Sequence, residues 1–166
     1  MIARILGSQR YKRDPSPLSF LSLLLFAFVA TACASVHLVS AYDDITDKSA
    51  TDLQHKVDHF LLKMESSAGT PAGVYDANPA MYDELQADVD ALHVRAAAVP
   101  NNHLTLIQVE ALDQALADLR KLHEKEGERG LRHDIAEPSR TAFTTIFTAI
   151  IKFELAKKRG ETSSTR

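Results

Sequence analysis

The residues in this sequence that could do chemistry are seven histidines, one cysteine and a few carboxylates set among apolar side chains. Histidine is a common metal ligand and titrates near neutral pH. In "DLQHKVDHFLLKM", His55 and His59 stand four apart, which puts both rings on one face of a helix, where they could grip a divalent cation. With Leu53 taken as zero, the rings point near about 200° and 240°, while the apolar residues lie between roughly −20° and 80°. The pair is therefore expected to be exposed, and a zinc site needs three or four ligands. Asp90 and His93 form an i, i+3 pair at the edge of a second stripe. The Glu-x-x-His spacing of metal centres inside helical bundles is absent from the chain. No cofactor is expected, and metal handling through exposed His55 and His59 stands as an alternative function.

Two ionisable residues fall on core positions. His123 continues an apolar rhythm and is expected at a bundle end, ring packed and nitrogen wet. Glu154 lies about 20° from Phe143 on its helix, so it needs a partner or a shifted pKa. Lys48 and Tyr42 are the expected partners, since the end of the last helix meets the start of the first in an antiparallel bundle. His123 belongs to the opposite end, so the two cannot form an acid–base dyad. The chain has no G-x-S-x-G, H-E-x-x-H, P-loop, dinucleotide or C-x-x-C-H motif. The expectation is a protein that is not an enzyme.

The elements that must position these residues are helical. Beyond residue 42 no alternation of more than four residues suggests a strand. Leu53, Val57, Phe60, Leu61 and Met64 form one core-facing stripe, preceded by Asp43, Asp44 and Asp47 near the positive helix end. A second helix opens at "NPAMYDEL", with Asn78 as cap and Pro79 first, and carries Leu85, Val89, Leu92, Ala96 and Val99 at spacings of four and three. A third is expected to start at a Thr105–Gln108 capping box with a Leu104–Val109 staple, and carries Val109, Leu112, Leu116 and Leu119. The fourth is expected between Pro138 and Gly160, with Phe143, Ile146, Phe147, Ile150 and Phe153 on one face and Lys157, Lys158 and Arg159 at its negative end. The pattern predicts an all-α, up-down-up-down four-helix bundle over residues 42–160 and a disordered tail at 161–166. The segment from Ser66 to Pro79 is long for a helical hairpin. Either Tyr75 tucks against the bundle end, or Val74 and Tyr75 belong to a recognition loop.

The first 41 residues differ from the rest. "MIARILGSQRYKRD" holds four basic residues and one acid, and Leu18 to Val36 then has no charge over 19 residues. Basic, apolar and small residues in that order mark an export signal, here residues 1–32. The only cysteine, Cys33, closes "VATAC". An odd cysteine in an exported chain is a reactive liability unless something consumes it.

"VATAC" resembles the lipobox of bacterial lipoprotein precursors, with Ala30 at the position that more often carries Leu, then Thr31 and Ala32. The resemblance covers about the first fifth of the chain. It implies lipidation of Cys33, cleavage before it, a tether over residues 33–41 and, because Ala34 follows the cysteine, an outer-membrane destination. Two other routes remain open. Signal peptidase I could cut at Ala32-Cys33-Ala34 or Val39-Ser40-Ala41, or the segment could stay as a membrane span, since about 20 residues suffice.

From Cys33 onward, 15 Lys and Arg face 21 Asp and Glu, a formal net charge of −6. That balance argues against nucleic acid as a partner and against adhesion of the domain to anionic lipid. The expected protein is a periplasm-facing, lipid-anchored module of the cell envelope. Its expected partners are the membrane, through Cys33, and another envelope protein, reached through the Tyr75 loop or the end near Tyr42.

Overall fold

The computed structural model describes residues 39–164. The expected signal segment, Cys33 and the tether up to residue 38 lie outside the described residues. Four helices account for nearly all of the rest: α1 Asp44–Ser67, α2 Pro79–Ala98, α3 His103–Glu126 and α4 His133–Ser164. No strand occurs among the described residues.

The helices form because their apolar residues recur at spacings of four and three, which keeps one face inward. Thr46, Ala50, Leu53, Val57, Phe60, Leu61 and Met64 are buried from α1. Leu85, Val89, Leu92 and Ala96 are buried from α2, and Val109, Leu112, Leu116 and Leu119 from α3. Phe143, Phe147 and Ile150 complete the core from α4. Each helix packs on its neighbours in sequence, and α4 closes the ring against α1. This is the four-helix bundle that the spacing predicts. The starts of α1 and α3 lie at one end with the ends of α2 and α4. The 24 residues of α1 set its length at about 36 Å, at 1.5 Å per residue.

Three helix ends differ from the sequence expectation. Helix α3 begins at His103 with Asn102 at the cap position, so Thr105 lies inside the first turn and is fully buried, while Leu104 is exposed. Helix α4 begins six residues early, and Pro138 sits within it. Leu131 and Ala136 are fully buried there, and the amides of Ile135 and Ala136 both donate to Arg132 O. Packing and that cap offset the single hydrogen bond that Pro138 cannot donate. At the other end the helix runs through Gly160 to Ser164, past the expected stop.

The long first connection is tied down. Residues Pro71–Gly73 and Tyr75–Ala77 form two short 3₁₀ turns. The Asn78 carboxamide donates to Ala72 O and Val74 O, and Gly69 N donates to Arg129 O in the α3–α4 connection. Gly130 has φ +62° and its Cα faces the Gly73 carbonyl so closely that a Cβ would meet that oxygen. Gly127, φ +57°, has open space around it. Ala at Gly127 therefore carries backbone strain alone, on the order of 1–3 kcal/mol. Gly130→Ala should lose clearly more in urea unfolding followed by circular dichroism; equal losses would mean that the two connections do not press on each other.

Candidate functional site

Ionisable groups are buried at both ends of the bundle. At the first end, α4 continues its rhythm beyond Phe143, Phe147 and Ile150 into Glu154 and Lys157, so two charged side chains occupy core positions. Lys157 Nζ lies 2.5 Å from Glu154 Oε1, and both side chains are essentially inaccessible. The ammonium also donates to Asn102 Oδ1 at 2.7 Å and Thr105 Oγ1 at 3.1 Å. The carboxylate accepts from Thr105 Oγ1 at 3.0 Å and from Asp43 N at 3.3 Å. Neither Lys48 nor Tyr42 is the partner of Glu154. Lys48 stands exposed on α1, whereas Lys157, one turn beyond Glu154 on α4, points inward.

This cluster reaches all four helices. Asp43 caps α1 by accepting from Thr46 N and is gripped by Arg95 of α2, whose Nε and Nη2 donate to its two oxygens at 2.8 and 2.6 Å. The guanidinium holds the Asp43 carboxyl well below the usual carboxylate range, with help from Thr46 and against the cost of burial. Asn102 at the start of α3 accepts from Ser40 Oγ and donates to Ala96 O. Ser40 N donates to Asn101 O, and Tyr42 N donates to Glu161 Oε1. The chain is thus fixed to the bundle from Ser40 onward. Tyr42 is half-buried, its hydroxyl on Asp47 and its ring under Lys158.

At the opposite end His123 is fully buried rather than wet. Its Nε2 is 2.9 Å from Gly73 O, and its Nδ1 is 2.9 Å from Tyr82 Oη. A carbonyl can only accept, so Nε2 carries the proton and Nδ1 accepts from the tyrosine hydroxyl. Both nitrogens are satisfied by the neutral ring. Burial pushes the His123 pKa down, against a smaller opposing effect of the Gly73 bond. Burial likewise pushes the Tyr82 hydroxyl up. Tyr75 is half-buried, its ring 5.7 Å from Tyr82 and 6.0 Å from His123. Arg120 donates to Tyr75 Oη at 2.8 Å and to Asp83 at 3.0 Å. Tyr75 therefore tucks into the bundle end, with Val74 half-buried beside it.

His55 and His59 face outward, as their helical angle requires, into a groove of about 250 Å³ with Lys56, Met81, Glu84 and Leu85. Lys56 there pairs with Glu84 at 3.0 Å and Asp88 at 2.8 Å, so an ammonium occupies the acids that a cation would use. Among the described residues no group of three or more His, Cys, Asp and Glu is placed to hold a metal. His93 stands 3.9 Å from Glu110 on the surface.

The sequence marked Glu154 and His123 but not Lys157, Thr105, Asn102, Arg95 or Ser40. The signal for two of these was present: Lys157 follows Glu154 by three, and Thr105 precedes Val109 by four, both in step with their stripes. No protein-family model matches the chain, and comparison with curated proteins and with solved structures finds no match either.

Two predictions follow from the buried groups. Glu154→Leu alone strands the Lys157 ammonium in the core and should cost about 3–5 kcal/mol, whereas adding Lys157→Met should recover most of that loss. Losses that simply add in urea unfolding would show that the two charges are not coupled. For His123, the neutral ring fits the fold and the unfolded ring titrates near its ordinary value of 6.5. Stability should be full above that pH and decline as pH falls from there through the lowered folded value, because only the unfolded chain takes up the proton. His123→Gln should flatten this decline, apart from an opposing contribution of exposed His133, whose pKa Glu65 raises. An unchanged slope would assign the acid sensitivity elsewhere.

Proposed function

We propose that this chain is a lipid-anchored module of a bacterial cell envelope, held at a membrane through Cys33 and acting by binding or scaffolding rather than by catalysis. One observation carries the reading: the 19 uncharged residues from Leu18 to Val36, preceded by a basic segment, contain the only cysteine, and it follows "VATA". Lipidation consumes that thiol at the place where processing would make it the first residue. No described helix is long and apolar enough to cross a membrane; on this reading the attachment is at Cys33, outside the described residues.

The bundle supports the reading through the way its polar groups are used. Glu154, Lys157, Asp43 and Arg95 bind one another, and His123 binds Tyr82 and Gly73, so these groups build the fold rather than face a substrate. The acidic balance of the domain speaks against a nucleic-acid partner. Ala34 after the cysteine favours the outer membrane as destination, with the bundle facing the periplasm.

Cys33→Ser tests the anchor. The wild type should take up radiolabelled palmitate in bacterial cells and run as a shorter mature form, while the variant should remain unlabelled and at precursor length. Normal shortening of the variant would assign the cut to signal peptidase I. A wild type that stays at precursor length would assign the segment to a retained span.

A further inference from the structure

The exposed large apolar side chains are unevenly placed. Val39, Ile45, Val94, Leu104, Ile107 and Leu155 are each at least 41% exposed, and all lie within the last turns of the helices at the Ser40 end or beside Glu154. Only Leu62 shares their exposure near the other end. These side chains come from all four helices and from the entering chain, so they collar the end instead of marking one flank. A groove of about 500 Å³, mostly apolar, with Val39, Ala41, Phe153 and Ala156 beside Lys157 and Glu161, opens at the same place.

Charge follows the same division. Segments 39–50, 92–108 and 152–161 hold six Lys and Arg against five Asp and Glu, whereas the remainder of 39–161 holds eight against sixteen. The domain as a whole is acidic, but its collar is not. The chain that leads to the 19 uncharged residues also leaves from here, and Ser40 is fixed by its bonds to Asn101 and Asn102. The six residues between Cys33 and Ser40 reach no more than about 25 Å, at roughly 3.3–3.6 Å per residue.

We propose that the Ser40 end of the bundle is a membrane-contacting surface, its apolar collar set into the headgroup region of the phospholipid bilayer that holds the anchor. The inference rests on the anchoring of the chain at a membrane and adds how the domain is oriented there. The headgroup–acyl boundary takes up apolar side chains over about 5–10 Å, the depth reached by the apolar faces of interfacial helices. Along α2 and α3, Val94 and Ile107 stand four residues from their helix ends, about 6 Å at 1.5 Å per residue, which matches that layer, while α4 runs on past Leu155 to Ser164 and carries Lys158, Arg159 and Glu161 among the headgroups. The strongly acidic remainder is repelled by anionic headgroups, which favours this end over the flanks. The Tyr75 end then points away from the bilayer.

The chain contains no tryptophan, so single reporters are unambiguous. Full-length chain carrying Leu104→Trp, Ile107→Trp or, as control, Leu62→Trp would be isolated with its own membrane anchor. Each would be reconstituted into phosphatidylethanolamine–phosphatidylglycerol vesicles with plain or brominated acyl chains. All three positions are exposed, and circular dichroism verifies that each variant folds. Flotation of the vesicles reads anchoring, and bromine quenching reads contact. The expected result is that all variants float and that Trp at 104 and 107 is clearly quenched by the brominated chains, while Trp at 62 is unquenched. Floating protein with all three unquenched overturns the orientation and leaves the anchor standing. A blue shift at 104 and 107 that depends on protein density but not on bromine overturns it in favour of a second copy covering the collar. Protein that does not float removes the anchor and the inference together.

Discussion

The carboxylate of Glu154 is shut away from water on the inward face of α4, and a buried charge is tolerated only where other groups replace its hydration. Four suppliers do so: the Lys157 ammonium, the Thr105 hydroxyl, the Asp43 backbone amide and, at one remove, Asn102 through Lys157. They come from three helix ends: Lys157 from α4, Asp43 from the start of α1, and Thr105 and Asn102 from the start of α3. The requirement of one buried anion thereby fixes the axial position of α4 against α1 and α3, while the Arg95–Asp43 fork fixes α2 in the same frame. An apolar layer at this level would pack the helices equally well and leave them freer to slide or rotate by a turn. The polar layer gives one register, because only one alignment satisfies every donor.

A second, smaller device at the other end does the corresponding work for the connections. The neutral His123 ring joins α2, through Tyr82, to the first connection, through Gly73. Gly130 brings the last connection against the same carbonyl. Arg120 then covers Tyr75 and Tyr82 from the solvent side. The eleven residues between α1 and α2 are long for a hairpin, yet their backbone is held by the His123 ring of α3, by the Asn78 carboxamide and by the bond from Gly69 N to Arg129 O. The length serves to fill the bundle end, with Tyr75 as its plug.

Most of the architecture was legible in the chain because burial here follows a strict rhythm of fours and threes. Leu53 to Met64, Leu85 to Ala96 and Val109 to Leu119 are the core that their spacing implies. The helix ends were less legible, since caps compete with tertiary packing. Thr105 has the type and spacing of a cap residue but is drawn inward by Glu154, and Pro138 reads as a boundary although Leu131 and Ala136 hold the turn before it. The partner of Glu154 was missed for a different reason. Antiparallel topology says which helix ends meet, but the rotation of each helix, 100° per residue, decides which side chains face inward. Lys48 is near in the chain's topology and outside in its rotation, while Lys157 was counted as a solvated cation at a helix end. The reading of residues 1–38 rests on the order of basic, apolar and small residues and not on helical rhythm.

The closing contacts of the bundle also set an order of events. Asp43 N meets Glu154 across 111 positions, and Tyr42 N meets Glu161 across 119. A chain that crosses a membrane before folding emerges amino end first, so α1 stands clear before the helix that seals it arrives. During that interval Leu53, Val57, Phe60 and Leu61 have no α4 to cover them, and the polar layer cannot form at all. Commitment to the native register therefore waits for the segment around Glu154. A chain that stalls before residue 154 is left with an open apolar trough, the form of the molecule most in need of a chaperone and most readily cleared by a protease.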